Sequence, residues 1–138
     1  MPKAILNCGP DSIYDDELPF RYHFIEKHRK EVTRCLKDEV IFYEPKRAGG
    51  RKAYTARAKV VAIYADNTKG PGNYYAILDG FQYFDQSVPH MVNGRYLESN
   101  GLTNDGQFTA RKSVRFPSDE EFNCILGLGI ASSNQAYA

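Results

Sequence analysis

Residues 53–66 form the longest alternating stretch in the chain, and they constrain the fold more than any other segment. One set of alternate positions is apolar throughout, namely Tyr54, Ala56, Ala58, Val60, Ala62 and Tyr64. The positions between them change from polar to apolar halfway along, in the order Thr55, Arg57, Lys59, Val61 and Ile63. A period of two is typical of a β-strand. The change on the second face indicates a strand that enters a closed sheet.

Shorter strands are predicted on both sides of this one. They fall at residues 4–8, 38–44, 74–78 and 113–117, with short strands and loops over 81–95. Dipeptides such as Asn100-Gly101 and Asp105-Gly106 mark turns. Several short strands broken by Gly and Pro favour a small, strongly curved sheet or barrel over a layered parallel sheet.

Two helices are predicted, one early and one late. Ile25, His28, Val32 and Leu36 recur at spacings of three and four, which places them on one face of a helix with a basic outer face. Ser118 and Glu121 form a capping box that opens the second helix, which is predicted to end near Gly127 or Gly129. The fold class is therefore α+β.

Length and composition limit the class of protein. A chain of 138 residues suits one domain, predicted over residues 1–130, with 131–138 as a polar tail or the start of a linker. The sequence contains no apolar run of transmembrane length and no signal-peptide pattern at its start. The three Cys include no CxxC pair, which argues against a disulfide framework and a cysteine-rich zinc site. We expect a soluble, intracellular protein that needs no cofactor.

A basic segment covers residues 21–59. It holds twelve basic and five acidic residues, a net charge of +7, while the rest of the chain carries −6 and the total is +1. Aromatic residues and a loop with Gly49-Gly50 at its centre lie in the same segment. Lys and Arg neutralise phosphates and aromatic rings stack on bases, so the segment indicates a nucleic-acid partner. The alternatives are a solvated helix face, tyrosines packed in the barrel core and an ordinary hairpin turn.

Motifs for other chemistry are missing from the sequence. It contains no HExxH, CxxC or paired-His motif, no GxSxG elbow and no P-loop. Cys35 and Cys124 lie on predicted apolar helix faces, where core packing is the simpler interpretation. We therefore predict no catalytic residue and no metal site in this chain.

Several segments, in their order, resemble one protein family. They are Tyr22-His23-Phe24, residues 40–47, residues 49–54, Tyr74-Tyr75-Ala76, residues 81–85, Val88-Pro89, residues 94–99 and Val114-Arg115. Together they resemble the N-terminal PUA-like domain of bacterial HNH restriction endonucleases, over residues 4–130. The resemblance implies a PUA-like pseudo-barrel of five or six strands flanked by two or three helices, related to the SRA, EVE, YTH and ASCH domains. It also implies a bacterial, cytoplasmic protein of restriction-modification defence.

The resemblance also implies a mode of binding, since several domains of this superfamily read modified bases that are flipped into an aromatic pocket. We therefore hypothesise a module that recognises a modified base, with modified cytosine favoured, in double-stranded DNA. Tyr22, Phe24 and Tyr43 would be stacking walls, with Tyr54 beside them, and His23 and Glu44 would read the base edge. The residues assigned to phosphates are Arg47, Arg51, Lys52, Arg57 and Arg95.

Tyr96, Glu98 and Arg115 are lesser candidates, and an ion pair that holds the barrel closed is the alternative for the last two. Cleavage would belong to a separate C-terminal HNH domain, so this chain is not expected to cut DNA. Two other functions stay open: an ASCH-like ribonuclease or nucleotide hydrolase that uses His23, Glu44 or Lys52, and a reader of RNA modifications.

Overall fold

Two long strands form the frame of the sheet. The computed structural model describes residues 3–8, 20–45, 52–66, 68, 70–99 and 114–135, with side chains as far as residue 130. Strand β4 (Ala53–Ala65) pairs antiparallel with β5 (Asn73–Pro89), and the register shifts at three places along the pair. Each bulge bends the strands and increases their right-handed twist, so three of them curl the hairpin.

The remaining strands add to this hairpin to give a six-stranded sheet in the order β2-β5-β4-β3-β1-β8. Their bounds are β1 (Ala4–Asn7), β2 (Arg21–Ile25), β3 (Glu39–Glu44) and β8 (Val114–Arg115). Strands β6 (Met91–Val92) and β7 (Arg95–Tyr96) form a separate two-stranded hairpin. The β1 and β3 strands are parallel, and the other pairs are antiparallel. This curled sheet with helices confirms the predicted α+β pseudo-barrel.

Two hydrophobic clusters lie on opposite faces of β1 and β3. The inner cluster includes Leu6 and Phe42 and is covered by Val32 of helix α1 (Arg29–Arg34), which follows a 3-10 turn at Glu26–His28. The outer cluster includes Ile5 and Ile41 and is covered by Phe122 and Ile125 of helix α2 (Asp119–Gln135). Successive residues of a strand point to opposite faces, so β1 and β3 are buried on both sides.

The first helix is shorter than predicted at both ends: Ile25 belongs to strand β2 (Arg21–Ile25), and helix α1 ends at Arg34 instead of reaching Leu36. Ile25, predicted as a helical position, ends β2, and its neighbour Asn73 lies opposite it in β5. The pairing with β5 supplies a full ladder of backbone hydrogen bonds, which outweighs a weak local preference for helix.

Two predicted ends are wrong, and both involve glycine. Strand β5 does not end at Asp79-Gly80, because Gly80 adopts a φ of 63° and takes up an extra residue as a bulge. Helix α2 does not end at Gly127 or Gly129 but continues to Gln135. Gly129 packs so closely on the Phe84 ring that a Cβ would overlap it. The glycine therefore serves helix packing, not helix termination.

The capping box is confirmed: the Glu121 backbone N–H donates to Ser118 Oγ at 3.1 Å, and the Ser118 N–H donates to Glu121 Oε1 at 2.9 Å. The predicted Gly-Gly loop at residues 46–51 and the turns at 100–101 and 105–106 lie outside the described residues. Neither helix in the described ranges is long and apolar enough to cross a bilayer. The single-domain boundary at residue 130 stays a prediction.

Candidate nucleic-acid interface

Several predicted site residues meet in a buried hydrogen-bond network. The Tyr54 hydroxyl donates to Glu98 Oε2 at 2.7 Å, and Arg115 Nε donates to Glu98 Oε1 at 2.9 Å. A second guanidinium nitrogen of Arg115 donates to Asn7 Oδ1 at 2.8 Å, and the Tyr22 hydroxyl donates to the Asn7 carbonyl at 2.9 Å. Glu98 and Arg115 are 0% and 2% exposed. For these two residues the structure shows the ion pair that was the alternative to a DNA contact.

The aromatic rings above this network are also buried. Tyr43 lies 4.8 Å from Tyr54 between ring centroids, and the Arg115 guanidinium lies 5.3 Å from the Tyr43 ring. Burial, and then the Glu98 carboxylate, raise the pKa of Tyr54, so its hydroxyl stays protonated and acts as a donor. Phe24 stacks on Tyr74 at 5.5 Å and is 1% exposed.

The structure therefore places four of the six predicted pocket residues, Tyr22, Phe24, Tyr43 and Tyr54, in the core. A base can stack on them only if their rings leave that packing, and the predicted stacking role stays a prediction. Asn7 was not among the predicted site residues. The sequence gives only a weak indication of a role for Asn7, namely that it is the one polar residue at the end of an apolar strand pattern.

A second group of predicted residues lies on the surface, where β6 and β7 approach the start of β4. We call Lys52, His90, Arg95 and Tyr96 the hairpin rim. The His90 N–H donates to the Lys52 carbonyl at 3.2 Å, and the His90 and Tyr96 rings lie 5.8 Å apart at 31°. Lys52 and Arg95 are exposed, and Tyr96 is half-buried. The rim thus brings two cations and two rings together.

Electrostatics at the rim favour a neutral His90 beside Lys52. Desolvation, and then the Lys52 ammonium, lower the pKa of His90, so its imidazole is uncharged at neutral pH. Positive charge at the rim therefore comes from Lys52 and Arg95. Glu44 is linked to the rim through its backbone carbonyl, which accepts a hydrogen bond from the Lys52 N–H at 2.9 Å. Arg47 and Arg51 lie outside the described residues.

A third group lies on the outer face of β2, β5 and β4, and His23 is its only member that was predicted as a site residue. We call Arg21, His23, Tyr75 and Tyr64 the outer row. The His23 and Tyr75 rings stack at 5.2 Å and 30°, and the Tyr75 and Tyr64 rings stack at 5.7 Å and 26°. The Arg21 guanidinium lies 3.8 Å from the centroid of Tyr75 and is hydrogen-bonded to the Tyr64 hydroxyl.

His23 belongs to this row because strand residues alternate. Its Nε2 is 2.9 Å from Asn73 Oδ1, on the face opposite to Tyr22 and Phe24. His23 aligns through β5 with Tyr64, whereas Glu44 aligns with Ala53 at the other end of β4. Those positions are eleven residues apart on β4, roughly 36 Å in a straight strand. The fold therefore separates His23 from Glu44 and Lys52, and the hydrolase hypothesis, which names His23, Glu44 or Lys52, stays a prediction.

Arg57 lies in a polar cleft of about 570 Å³ on the outer face of β3, β4 and β5. It forms an ion pair with Glu39, and Lys3 Nζ lies 3.8 Å from the same carboxylate. Lys37, Lys59 and Asp79 also line the cleft. The predicted phosphate contact of Arg57 would compete with its pairing to Glu39. The described residues contain no group of three or more His, Cys, Asp or Glu side chains that could hold a metal ion.

Comparison with known proteins finds solved structures with a similar fold but no match at the level of sequence. No family model matches the chain, and no curated protein matches it. The N-terminal domain of McrB from Staphylothermus marinus superposes with a TM-score of 0.57 at 9% identity, covering 92% of this chain and 94% of that one. Rpa0253 from Rhodopseudomonas palustris superposes with a TM-score of 0.59 at 14% identity, covering 94% and 93%. Both likenesses are below 25% identity and concern the fold alone, an α+β pseudo-barrel.

Proposed function

We propose that this chain is a DNA-binding module that recognises a modified base. The observation that carries the proposal is the hairpin rim, where two exposed cations share a short hairpin region with the neighbouring, tilted rings of His90 and Tyr96. The likeness to the N-terminal domain of McrB supports a modified-DNA reader at the level of the fold. The segment that precedes Lys52 in the sequence carries Arg47 and Arg51, and these add to the proposed phosphate contacts.

Each rim residue has a role that its chemistry suits. Lys52 and Arg95 would contact phosphates on either side of the target nucleotide. Tyr96, supported by the neutral His90 ring, would stack on the base once it has left the duplex. Unpairing and unstacking a base cost a few kcal/mol, and stacking on an aromatic ring returns about 1–3 kcal/mol. Flipping is therefore feasible only if the site also gains contacts to the modification.

We further propose that the target is a modified cytosine and that the module serves an HNH endonuclease, whose nuclease domain would supply the cut. In this proposal the buried network holds the rim in place. Glu98, two residues after Tyr96, is bound by Arg115 of β8, and Arg115 in turn donates to Asn7 of β1. A pocket walled by Tyr22, Phe24 and Tyr43 is the competing arrangement, and it requires the core to open.

The proposal is tested by measuring Kd for duplexes that differ only in one cytosine: plain, 5-methyl, 5-hydroxymethyl or glucosylated. We expect one modified duplex to bind at least about tenfold more tightly than plain DNA, a difference of about 1.4 kcal/mol. Tyr96→Ala should remove this preference. Lys52→Ala and Arg95→Ala should weaken all duplexes alike and each reduce the salt slope by about one.

Lys30→Ala, which removes an exposed cation of α1, is the matched control and should leave binding unchanged. Single-stranded RNA carrying the same modifications competes in a parallel titration. Equal binding of all four duplexes, with Lys52→Ala and Lys30→Ala behaving alike, would refute the proposal. Stronger competition by RNA would instead favour the reader of RNA modifications.

A further inference from the structure

The outer row is the second place where rings and a cation meet, and the proposed function does not use it. Tyr64 is 38% exposed at one end of the row, whereas the Tyr75 and His23 rings are buried, and the exposed Phe20 and Val61 lie just before β2 and in β4. The Phe20 carbonyl accepts the Leu78 N–H at 2.9 Å, which ties Phe20 to the end of β2 beside β5. Tyr64 is therefore the ring through which the row reaches the surface.

The sheet itself produces this arrangement. Cross-strand neighbours lie about 5 Å apart, close enough for rings on adjacent strands to stack. The register places His23 opposite Tyr75 and Tyr75 opposite Tyr64, so three rings follow one another across three strands. Arg21 lies over the middle ring, and a guanidinium stacks on aromatic faces while keeping donors for an anion.

We propose that the outer row binds unpaired nucleobases of a single-stranded nucleic acid. The exposed Tyr64 ring is the stacking platform, and Arg21 bridges the rings and the phosphodiester. Aromatic rings next to a cation form the sequence-tolerant surface by which proteins hold single strands. Tyr64 lies eleven residues along β4 from Ala53, so the outer row and the hairpin rim occupy opposite ends of the long hairpin.

A purely structural role makes a different prediction. If the row only fastens the edge strand β2 to β5, changes in Tyr64 lower stability and leave nucleic-acid binding unaffected. The chain contains no Trp, so Tyr64→Trp introduces a single indole whose fluorescence reports stacking directly. Oligothymidylate is the probe, and an abasic oligomer with the same number of phosphates separates stacking from charge.

We expect oligothymidylate to quench the indole and the abasic oligomer to leave it unchanged. Tyr64→Ala should weaken oligothymidylate binding about 5- to 100-fold, the range for the loss of one stacked base. Tyr64→Phe should keep most of the affinity. Tyr83→Ala is the matched control, because that ring is 63% exposed but lies outside the row. Thermal unfolding of each variant confirms that it is folded under the binding conditions.

Equal quenching by both oligomers, or equal binding by wild type and a folded Tyr64→Ala, would overturn this proposal. Oligoribo- and oligodeoxyribonucleotides of the same sequence show which sugar is preferred. The outcome is separable from that for the proposed function, because Lys52→Ala and Arg95→Ala test the rim on duplex DNA and leave the outer row intact.

Discussion

Replacing Arg115 by Met tests whether the buried network holds the barrel together. The change removes the guanidinium that donates to Glu98 at 2.9 and 3.1 Å and to Asn7 at 2.8 Å. Glu98 would keep only the Tyr54 hydroxyl among the partners in this network. A buried charge left without its counterion costs about 3–5 kcal/mol. Small domains are stable by about 5–15 kcal/mol, so we expect a large fraction of the stability to be lost.

Urea unfolding followed by circular dichroism measures this loss for Arg115→Met, Glu98→Leu and the double variant. Removing both charges leaves no unpaired ion, so the double variant should be more stable than the sum of the single effects by about 1–3 kcal/mol. The exposed Glu26–Arg29 pair, 2.8 Å apart, is the matched control, and Arg29→Met should change stability far less. Additive losses for Arg115 and Glu98, within about 0.5 kcal/mol, would mean that the two side chains do not stabilise the barrel as an ion pair.

Two further predictions concern packing and reactivity. Gly129→Ala should destabilise the protein by about 1–3 kcal/mol, because the added methyl group would overlap the Phe84 ring. Gly127→Ala should stabilise α2 by up to ~1 kcal/mol, because no atom lies within 4 Å of the added methyl group. Equal effects of the two substitutions in urea unfolding would contradict this prediction. Burial raises the pKa of the Cys35 thiol to about 12. Iodoacetamide at pH 8 should therefore label the exposed Cys124 first and Cys35 only after unfolding, as measured by mass spectrometry of the labelled peptides. Rapid labelling of Cys35 in the folded protein would contradict this prediction, because it would show that the thiol is accessible.

Local pattern was enough to predict the strongest elements of the fold. The alternation over residues 53–66 predicted β4 to within one residue, and the capping box predicted the start of α2. Strand β2 was missed because its residues lie next to a helical spacing, and only the non-local pairing with β5 makes them extended. An Asp-Gly dipeptide such as Asp79-Gly80 occurs both in turns and in β-bulges, so the sequence alone cannot distinguish the two structures.

The site was harder to predict than the fold, because it depends on which face of a strand points inward. Tyr22 and Phe24 lie in the hydrophobic core, while His23 is buried on the opposite face of β2 against Tyr75, and that parity is fixed by the register with β5. A slip of one residue would exchange the two faces. The outer row combines residues from three strands far apart in the chain, so no local motif could indicate it.

The net charge of +7 over residues 21–59 overstates the positive charge that is available to contact DNA phosphates. Arg57 pairs with Glu39, Arg29 pairs with Glu26, and Arg34 lies 4.3 Å from the Phe116 ring. In the proposed complex about four cations face phosphates, namely Lys52, Arg95 and the two arginines at residues 47 and 51. Each phosphate contact contributes about 0.9 to the slope of log K against log salt concentration.

We therefore expect a slope of about −3.6 for duplex DNA, measured by anisotropy between 50 and 200 mM salt. Engagement of all twelve basic residues of the segment would instead give about −11. A slope near that steeper value would mean that the whole basic segment binds the backbone and that the ion pairs open on binding. The shallower slope would mean that discrimination rests on the few groups of the rim, because charge alone would then hold plain DNA weakly.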